Sequence, residues 1–161
     1  MTDGGGPAHE GRVQRGLELA YRYLSARDRT SSELRSYLER HGVDAYAIDS
    51  AIRTLTDDGY IDDARFARLL AEDKRELEEW GTERIRRTLL TRGIDRDLVD
   101  VALGDGEAAG DLGRAHELLQ RRFPSPPRSV RDRDRAFRML LRKGYDGETA
   151  SDALAEYVRL P

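Results

Sequence analysis

The sequence predicts an all-α protein made of three tandem three-helix repeats that form an elongated, curved helical array. Three copies of one turn stand 51 residues apart at Gly42, Gly93 and Gly144, and their flanking segments align without a gap. Apolar residues recur every three or four positions, and no segment shows the period-two alternation of a half-buried strand. We therefore expect nine helices in three repeats, at 13–61, 62–105 and 106–161, preceded by a flexible tail at 1–12.

Each glycine turn is typical of a helix end that is followed directly by a new helix. Many helices end at a glycine in the left-handed conformation, and an apolar residue after it packs back onto the last turn. The aspartates that follow, Asp44, Asp95 and Asp146, stand where the next helix needs an N-cap. We interpret the turn as a structural element, so function is sought on the surfaces that it positions.

The helices of the first repeat follow from apolar spacing and capping residues. The first helix is predicted from Val13 to about Ala26. Thr30 or Ser31 caps the second helix, and Asp44 opens the third.

The other two repeats begin at similar signals. Asp62 is predicted to cap the first helix of repeat two, the segment 80–82 to open its second helix, and Asp95 to open its third. The first helix of repeat three begins near Glu107. It ends at the FPSPP segment, residues 123–127, because proline imposes extended backbone on the residue before it.

Composition restricts the class of protein. Charged residues make up 37% of the chain and hydrophobic ones 38%, a balance suited to a folded helical protein with a large surface. The absence of cysteine excludes disulfides and thiolate metal sites. The N-terminus has no apolar run like a signal peptide, and no stretch of 18 apolar residues occurs, so we expect a cytoplasmic protein without a membrane segment.

Catalytic residues are not evident in the sequence. His9, His41 and His116 each stand without a second histidine or a cysteine at metal-ligand spacing. No glycine-rich phosphate loop stands between a strand and a helix. We expect a binding protein without enzymatic activity, cofactor or metal.

Charge is distributed unevenly along the chain, although the net charge is only −3. Between Arg121 and Lys143, nine basic residues face only Asp132 and Asp134. Basic residues that recur on one exposed helix face suit phosphate groups or an acidic protein groove. The alternative is an ordinary solvated face. The candidate binding residues at helical spacing are Arg84, Arg87, Arg131, Arg135, Arg138 and Arg142.

Two adjoining segments, GYIDDARFARLLAEDK and WGTERIRRTLLTRGI, resemble the signature of the RecX family, the bacterial regulators of the RecA recombinase. The resemblance extends over nearly the whole chain from about Val13. We interpret the signature positions as mostly structural: Gly59, Tyr60, Asp62, Asp63, Phe66, Ala67, Gly81, Ile85, Leu89, Gly93 and Ile94.

The resemblance implies a protein that lodges in the groove of the RecA filament on single-stranded DNA and suppresses ATP hydrolysis and strand exchange during recombination and DNA repair. We expect this protein to be a monomer. It also implies three tandem three-helix repeats, in agreement with the reading from periodicity. Direct DNA binding is expected to be weak, because the total charge is mildly acidic. The alternatives are a free-standing DNA-binding protein of three-helix modules and a general helical scaffold.

Overall fold

The computed structural model of the protein describes residues 6–104 and 107–160, and all regular secondary structure in these ranges is α-helical. The predicted all-α fold is therefore confirmed. None of the described helices combines the length and the apolar content needed to span a membrane. The helices are α1 (Pro7–Leu24), α2 (Ser31–Arg40), α3 (Ala45–Asp57), α4 (Asp63–Glu76), α5 (Thr82–Thr91), α6 (Arg96–Leu103), α7 (Glu107–Arg122), α8 (Val130–Lys143) and α9 (Gly147–Arg159).

The chain forms two compact units. The first contains the residues up to Phe66 together with Arg92–Ile94, and the second contains Ala67–Thr91 and the residues from Asp95 onward. A short stretch after α5 thus belongs to the first unit, although its neighbours in sequence belong to the second.

The core of the first unit lies among α1, α2 and α3, which pack against one another. Leu34 and Leu38, one helical turn apart on α2, are both completely buried, as is Leu55 of α3. Burial of each such side chain stabilises the fold by about 1.5–3 kcal/mol. The apolar stripe that predicted these helices is therefore what holds the unit together.

The second unit has its main core among α7, α8 and α9, and α5 packs against α6 and α7. Leu118 and Leu119 of α7 and Leu140 of α8 are completely buried there. Tyr157 of α9 also lies in this core, and its hydroxyl donates a hydrogen bond to the carbonyl oxygen of Phe123. The end of α7 is thus fixed to the last helix.

The repeated glycine turns have the predicted conformation. Gly42, Gly93 and Gly144 have φ angles of 74°, 83° and 99°, which residues with a Cβ rarely adopt. After Gly42, the amide of Val43 donates to the carbonyl oxygen of Leu38 at 3.1 Å, which satisfies a carbonyl group at the end of α2. The turn after Gly144 closes in the same way, through the amide of Tyr145 and the carbonyl oxygen of Leu140 at 3.2 Å, and all three repeated glycines share the left-handed conformation.

The predicted aspartate caps are confirmed at two of three turns. Asp44 accepts a hydrogen bond from the amide of Ala47 at 3.0 Å, and Asp146 accepts one from Thr149 at 2.7 Å. Asp95 occupies the N-cap of α6, but its side chain makes no capping hydrogen bond, so that part of the prediction was wrong. This end of α6 is exposed, and water can satisfy its free amides.

The predicted start of the first helix at Val13 was also wrong. Helix α1 begins at Pro7, so residues 7–12, which we predicted to belong to a flexible tail, are helical. Proline suits the first helical position because its φ is already helical and its missing amide would have no partner there. Residues 1–5 of the predicted tail lie outside the described residues.

Candidate functional site

All six candidate arginines lie in the second unit, on α5 and α8. On α8, Arg131, Arg135, Arg138 and Arg142 follow one another at intervals of four, three and four residues and are all exposed. The opposite side of the helix carries the buried Ala136 and Leu140. Helix α8 therefore presents one basic face, as predicted.

Acidic residues neutralise this face only in part. Arg138 forms an ion pair with Asp134 at 3.1 Å, with both side chains more than half exposed. Such exposed pairs contribute about 0–1 kcal/mol and are readily exchanged for another partner. Within the described ranges, Arg87, Arg131 and Arg135 form no hydrogen bond or ion pair. Their guanidinium groups are open to a ligand.

Arg84 behaves differently from the other five arginines. It is half-buried, its guanidinium carbon lies 3.9 Å from the centre of the Trp80 ring, and its Nη1 donates to the carbonyl oxygen of Arg142 at 3.1 Å. A stacked guanidinium that also satisfies a helix-end carbonyl stabilises the protein itself. Helical spacing predicted an exposed position for Arg84, because the turn after α8 that covers it is distant in sequence.

The turn at Gly144 docks directly on the start of α5. The amide of Gly81 donates to the carbonyl oxygen of Lys143 at 2.8 Å, and the amide of Glu83 donates to that of Gly144 at 3.1 Å. A Cβ at position 81 would lie 2.5 Å from the carbonyl carbon of Gly144, closer than any real Cβ contact. Gly81 is therefore required for the two main chains to meet.

Glu79 gathers the basic residues next to this contact. Its carboxylate lies 2.5 Å from Arg121 Nη2, 3.6 Å from Arg122 Nη2 and 4.0 Å from Lys143 Nζ. Partial burial raises the pKa of Glu79, but the hydrogen bond from Arg121 and the surrounding positive charge outweigh it and lower the pKa below its ordinary value. Glu79 thus neutralises part of the basic stretch, whereas most of the α8 face remains unpaired.

The first unit contains an equivalent contact at the turn of Gly93. The hydroxyl of Thr30 donates to the carbonyl oxygen of Arg92 at 2.8 Å. Arg92 also donates to both carboxylate oxygens of Glu33, at 2.6 and 3.1 Å, while its guanidinium lies over the ring of Phe66. Such a bidentate contact between an arginine and a carboxylate is among the stronger hydrogen-bonded pairs in proteins.

The motif residues have mostly structural environments. Asp62 caps α4 through the amide of Arg65 at 3.0 Å, and Asp63 accepts hydrogen bonds from the amide and hydroxyl of Ser31. Tyr60 is the exception, because 60% of it is exposed. The buried apolar motif residues are Ala67, Ile85, Leu89 and Ile94.

A cavity of 510 Å³ lies beside α8, between its basic face and the proline-rich segment that follows α7. The sequence did not single out two of its arginines as binding residues, because they lie outside the helical stripe of α8. The charged residues in its lining are Arg122, Arg128, Arg135, Arg142 and Asp132. Its lining therefore carries more positive than negative charge.

Repeated three-helix units with an exposed basic helix face define a tandem helical-repeat protein. Two family profiles match the chain: the first three-helix domain of RecX over residues 17–55 and the second three-helix domain of RecX over residues 62–103. The chain belongs to the RecX family of regulatory proteins.

Individual relatives agree with this assignment. The regulatory protein RecX of Deinococcus radiodurans is 35% identical over 144 residues, which cover 89% of this chain and 69% of that protein. The regulatory protein RecX of Leptothrix cholodnii is 33% identical over 141 residues, 88% of this chain and 85% of its own. The crystal structure of RecX from Lactobacillus salivarius has the same fold, with a TM-score of 0.74 and 22% identity, covering 94% of this chain and 99% of that one.

Proposed function

We propose that this protein binds in the groove of a RecA filament on single-stranded DNA and suppresses its ATP hydrolysis and strand exchange in the cytoplasm, as a non-enzymatic regulator of recombination and DNA repair. Membership of the RecX family supports RecA as the partner. The observation that carries the proposal is the basic face of α8, where Arg131 and Arg135 are exposed and unpaired within the described ranges.

Charge complementarity explains how such a face recognises a filament. A filament on DNA carries a regular row of phosphates, and arginines that neutralise them release bound counterions, which favours association. The net charge of −3 disfavours general binding to DNA, so affinity depends on where the arginines lie. Contacts to protein and to DNA in the same groove would reinforce each other because they are linked.

Inhibition follows if the protein binds one state of the filament more tightly than another. A ligand shifts such an equilibrium only by the difference of its affinities for the two states. The protein would favour a filament state that is slow to hydrolyse ATP, and it needs no catalytic group of its own for this effect.

The direct test is to titrate the protein into RecA assembled on single-stranded DNA and to follow ATP hydrolysis. Inhibition is expected at concentrations too low to coat naked DNA, with naked-DNA binding measured at the same salt concentration. Unchanged hydrolysis over the whole titration would refute the proposed function.

Charge reversal on α8 tests the surface that carries the proposal. The Arg135→Glu/Arg138→Glu variant should keep its helical content, because both side chains are exposed, yet inhibit ATP hydrolysis at least about tenfold less effectively. The matched control is Arg53→Glu/Arg96→Glu, which makes the same change of charge at exposed positions on α3 and α6. Equal inhibition by both variants would remove the α8 face from the mechanism.

A free-standing DNA-binding function is the second candidate, and the arginine-lined cavity beside α8 favours it. It predicts tight binding to naked duplex DNA with a steep dependence on salt, about −0.9 in log K against log salt for each phosphate neutralised. Tight binding without any effect on hydrolysis would favour this candidate over a filament regulator.

A further inference from the structure

The two docked turns define one receiving surface that the repeat uses twice. In the first unit, Thr30 and Glu33 at the start of α2 receive the turn of Arg92 and Gly93. In the second unit, Gly81 and Arg84 receive the turn of Lys143 and Gly144. Gly81 and Arg84 stand 51 residues after Thr30 and Glu33, so the same two positions of the repeat are used.

The equivalent positions of the third repeat are Asp132 and Arg135, a further 51 residues along the chain. Both lie on α8 and both are exposed. No glycine turn of the described chain covers them. Instead they line the 510 Å³ cavity, together with Arg122, Arg128 and Arg142. The surface that receives a turn in the first two repeats is therefore an open cavity in the third.

The charge of this cavity opposes a further turn of the same kind. Each docked turn brings a basic residue just before its glycine, and an acidic side chain accepts it: Glu33 contacts Arg92, and Glu79 contacts Lys143. In the third repeat the positions equivalent to Glu33 and Glu79 are Arg135 and Val130, so neither carries an acidic side chain that could accept such a residue. A similar turn from a second copy of this chain is disfavoured for the same reason.

The acidic group in the cavity does not cancel its charge. The carboxylate of Asp132 accepts a hydrogen bond from the hydroxyl of Ser129 at 2.6 Å, and the amide of Asp132 donates to the same hydroxyl at 3.0 Å. This capping arrangement holds the carboxylate at the start of α8. The positive charge of the cavity therefore comes from its arginines and not from free amides at the start of α8.

We propose that this cavity is a binding site for the backbone phosphates of single-stranded DNA, a step that names the ligand of the α8 face and rests on the proposed function. Arginine guanidinium groups donate paired hydrogen bonds that match the oxygens of a phosphate. Arg128 and Arg135 belong to two different walls, the proline-rich segment and α8, so a strand that enters the cavity can place one phosphate against each of them.

Nucleic acid fits the lining better than an acidic protein segment does. Protein segments usually bind through a few anchors, most often aromatic residues or arginine, that are buried in well-packed pockets. The larger apolar side chains here, Phe123 and Met139, pack against the core of the unit instead of forming a pocket of their own. Binding to a phosphate backbone needs only well-placed positive charge.

The test compares two variants by fluorescence anisotropy with a labelled oligodeoxythymidylate of about 15 nucleotides, the size of a long single-strand site. In Arg128→Ala/Arg135→Ala, two phosphate contacts are lost. The expected result is affinity about 25-fold weaker at about 0.1 M salt and a salt slope shallower by about 1.4. The control Arg53→Ala/Arg96→Ala removes the same charge elsewhere and should bind as the unmodified protein does.

Three results would overturn the proposal. The first is equal oligonucleotide affinity in the two variants. The second is no binding of the oligonucleotide to the unmodified protein. The third is that the Arg128→Ala/Arg135→Ala variant loses binding to a poly-glutamate peptide but keeps its affinity for the oligonucleotide. That result would assign the cavity to an acidic protein segment. Melting temperatures of both variants, expected to be unchanged, establish that they are folded.

Parallel measurement of RecA ATP hydrolysis separates failure of this site from failure of the proposed function. If the unmodified protein inhibits hydrolysis but the cavity variant still binds the oligonucleotide normally, only the phosphate site is wrong. If the unmodified protein does not inhibit hydrolysis, the proposed function fails. The oligonucleotide comparison still decides, independently, whether the cavity binds phosphate.

Discussion

The two docked turns accept a hydrogen bond at the same backbone carbonyl, but from different donors. In the first unit the carbonyl oxygen of Arg92 accepts from the hydroxyl of Thr30 at 2.8 Å. In the second unit the carbonyl oxygen of Lys143 accepts from the backbone amide of Gly81, also at 2.8 Å. The two repeats therefore share the position of the hydrogen-bond donor but not the type of residue that supplies it.

This difference determines what each contact tolerates. A threonine hydroxyl bridges a gap between main chains, so a β-branched side chain fits at position 30. A backbone amide reaches only if the main chains touch, and at position 81 there is no room for a Cβ. Side chains hold the first contact, whereas close backbone approach holds the second.

The largest effect is expected for Gly81→Val. Its Cβ would meet backbone atoms of Gly144 and Tyr145 at 2.5 and 2.6 Å, and backbone cannot rotate away as a side chain can. We expect a loss of about 3 kcal/mol in the stability of the second unit. Urea unfolding followed by the fluorescence of Trp80, the single tryptophan, measures it directly.

The matched control is Gly113→Ala in α7, where nothing lies within 4 Å of the added Cβ. It should stabilise the unit by about 0.5–1 kcal/mol, because alanine favours a helix interior. A Gly81→Val variant as stable as the unmodified protein would mean that the main chains do not meet as described.

A smaller effect is expected for Gly93→Val, in the docked turn of the first unit. A β-branched residue is strained at a φ of 83°, and its Cβ would also overlap the side chain of Ser32. We expect a loss of about 2 kcal/mol in stability, measured by thermal unfolding with circular dichroism.

Gly42→Val separates backbone strain from the overlap with Ser32. Gly42 has a φ of 74°, but nothing lies within 4 Å of an added Cβ, so only backbone strain applies. We expect a loss of about 1 kcal/mol. Equal losses at both positions would show that docking adds nothing at Gly93.

The smallest effect is expected for Glu33→Gln, which weakens the contact with Arg92 by about 1 kcal/mol at neutral pH. Partial burial raises the pKa of Glu33, but the Arg92 hydrogen bonds and the Thr30 amide outweigh it, so the net pKa lies below its ordinary value of 4.5. A lowered pKa stabilises the fold above pH 4.5, and this stability is lost as pH falls through the folded-state pKa.

Unfolding measured from neutral to acidic pH should therefore show the unmodified protein and Glu33→Gln converging as the carboxylate becomes protonated. Asp49→Asn is the control, because the ion pair of Asp49 with Arg35 is about half exposed and should contribute less than about 0.5 kcal/mol. A gap between the two proteins that stays constant down to the most acidic pH would contradict the assigned role of Glu33.

The local parts of the fold could be predicted from the sequence. The turns at Gly42, Gly93 and Gly144 are determined by residues within one helical turn of each glycine, so periodicity and capping rules predicted them, except for the capping hydrogen bond of Asp95. The start of α1 was missed because a sequence such as PAHEGR has no apolar stripe. Its helix depends on a favourable proline position and not on burial.

The contacts between distant segments could not be predicted. Thr30 and Arg92 are 62 positions apart, and nothing in either local sequence indicates that they meet. For the same reason Arg84 was grouped with exposed arginines, although it stacks on Trp80 and binds the end of α8. The predicted basic face of α8 depends on helical spacing alone, and the structure has that face.

The proline-rich wall of the cavity has a consequence for the entropy of binding. Pro124, Pro126 and Pro127 restrict the backbone, and the segment is held at one end by the Tyr157 hydroxyl on Phe123. At its other end, Arg133 Nε donates to the carbonyl oxygen of Pro127 at 3.2 Å. The wall is thus ordered before any ligand arrives, so an anion that enters must immobilise only the arginine side chains, at about 0.5–1.5 kcal/mol each.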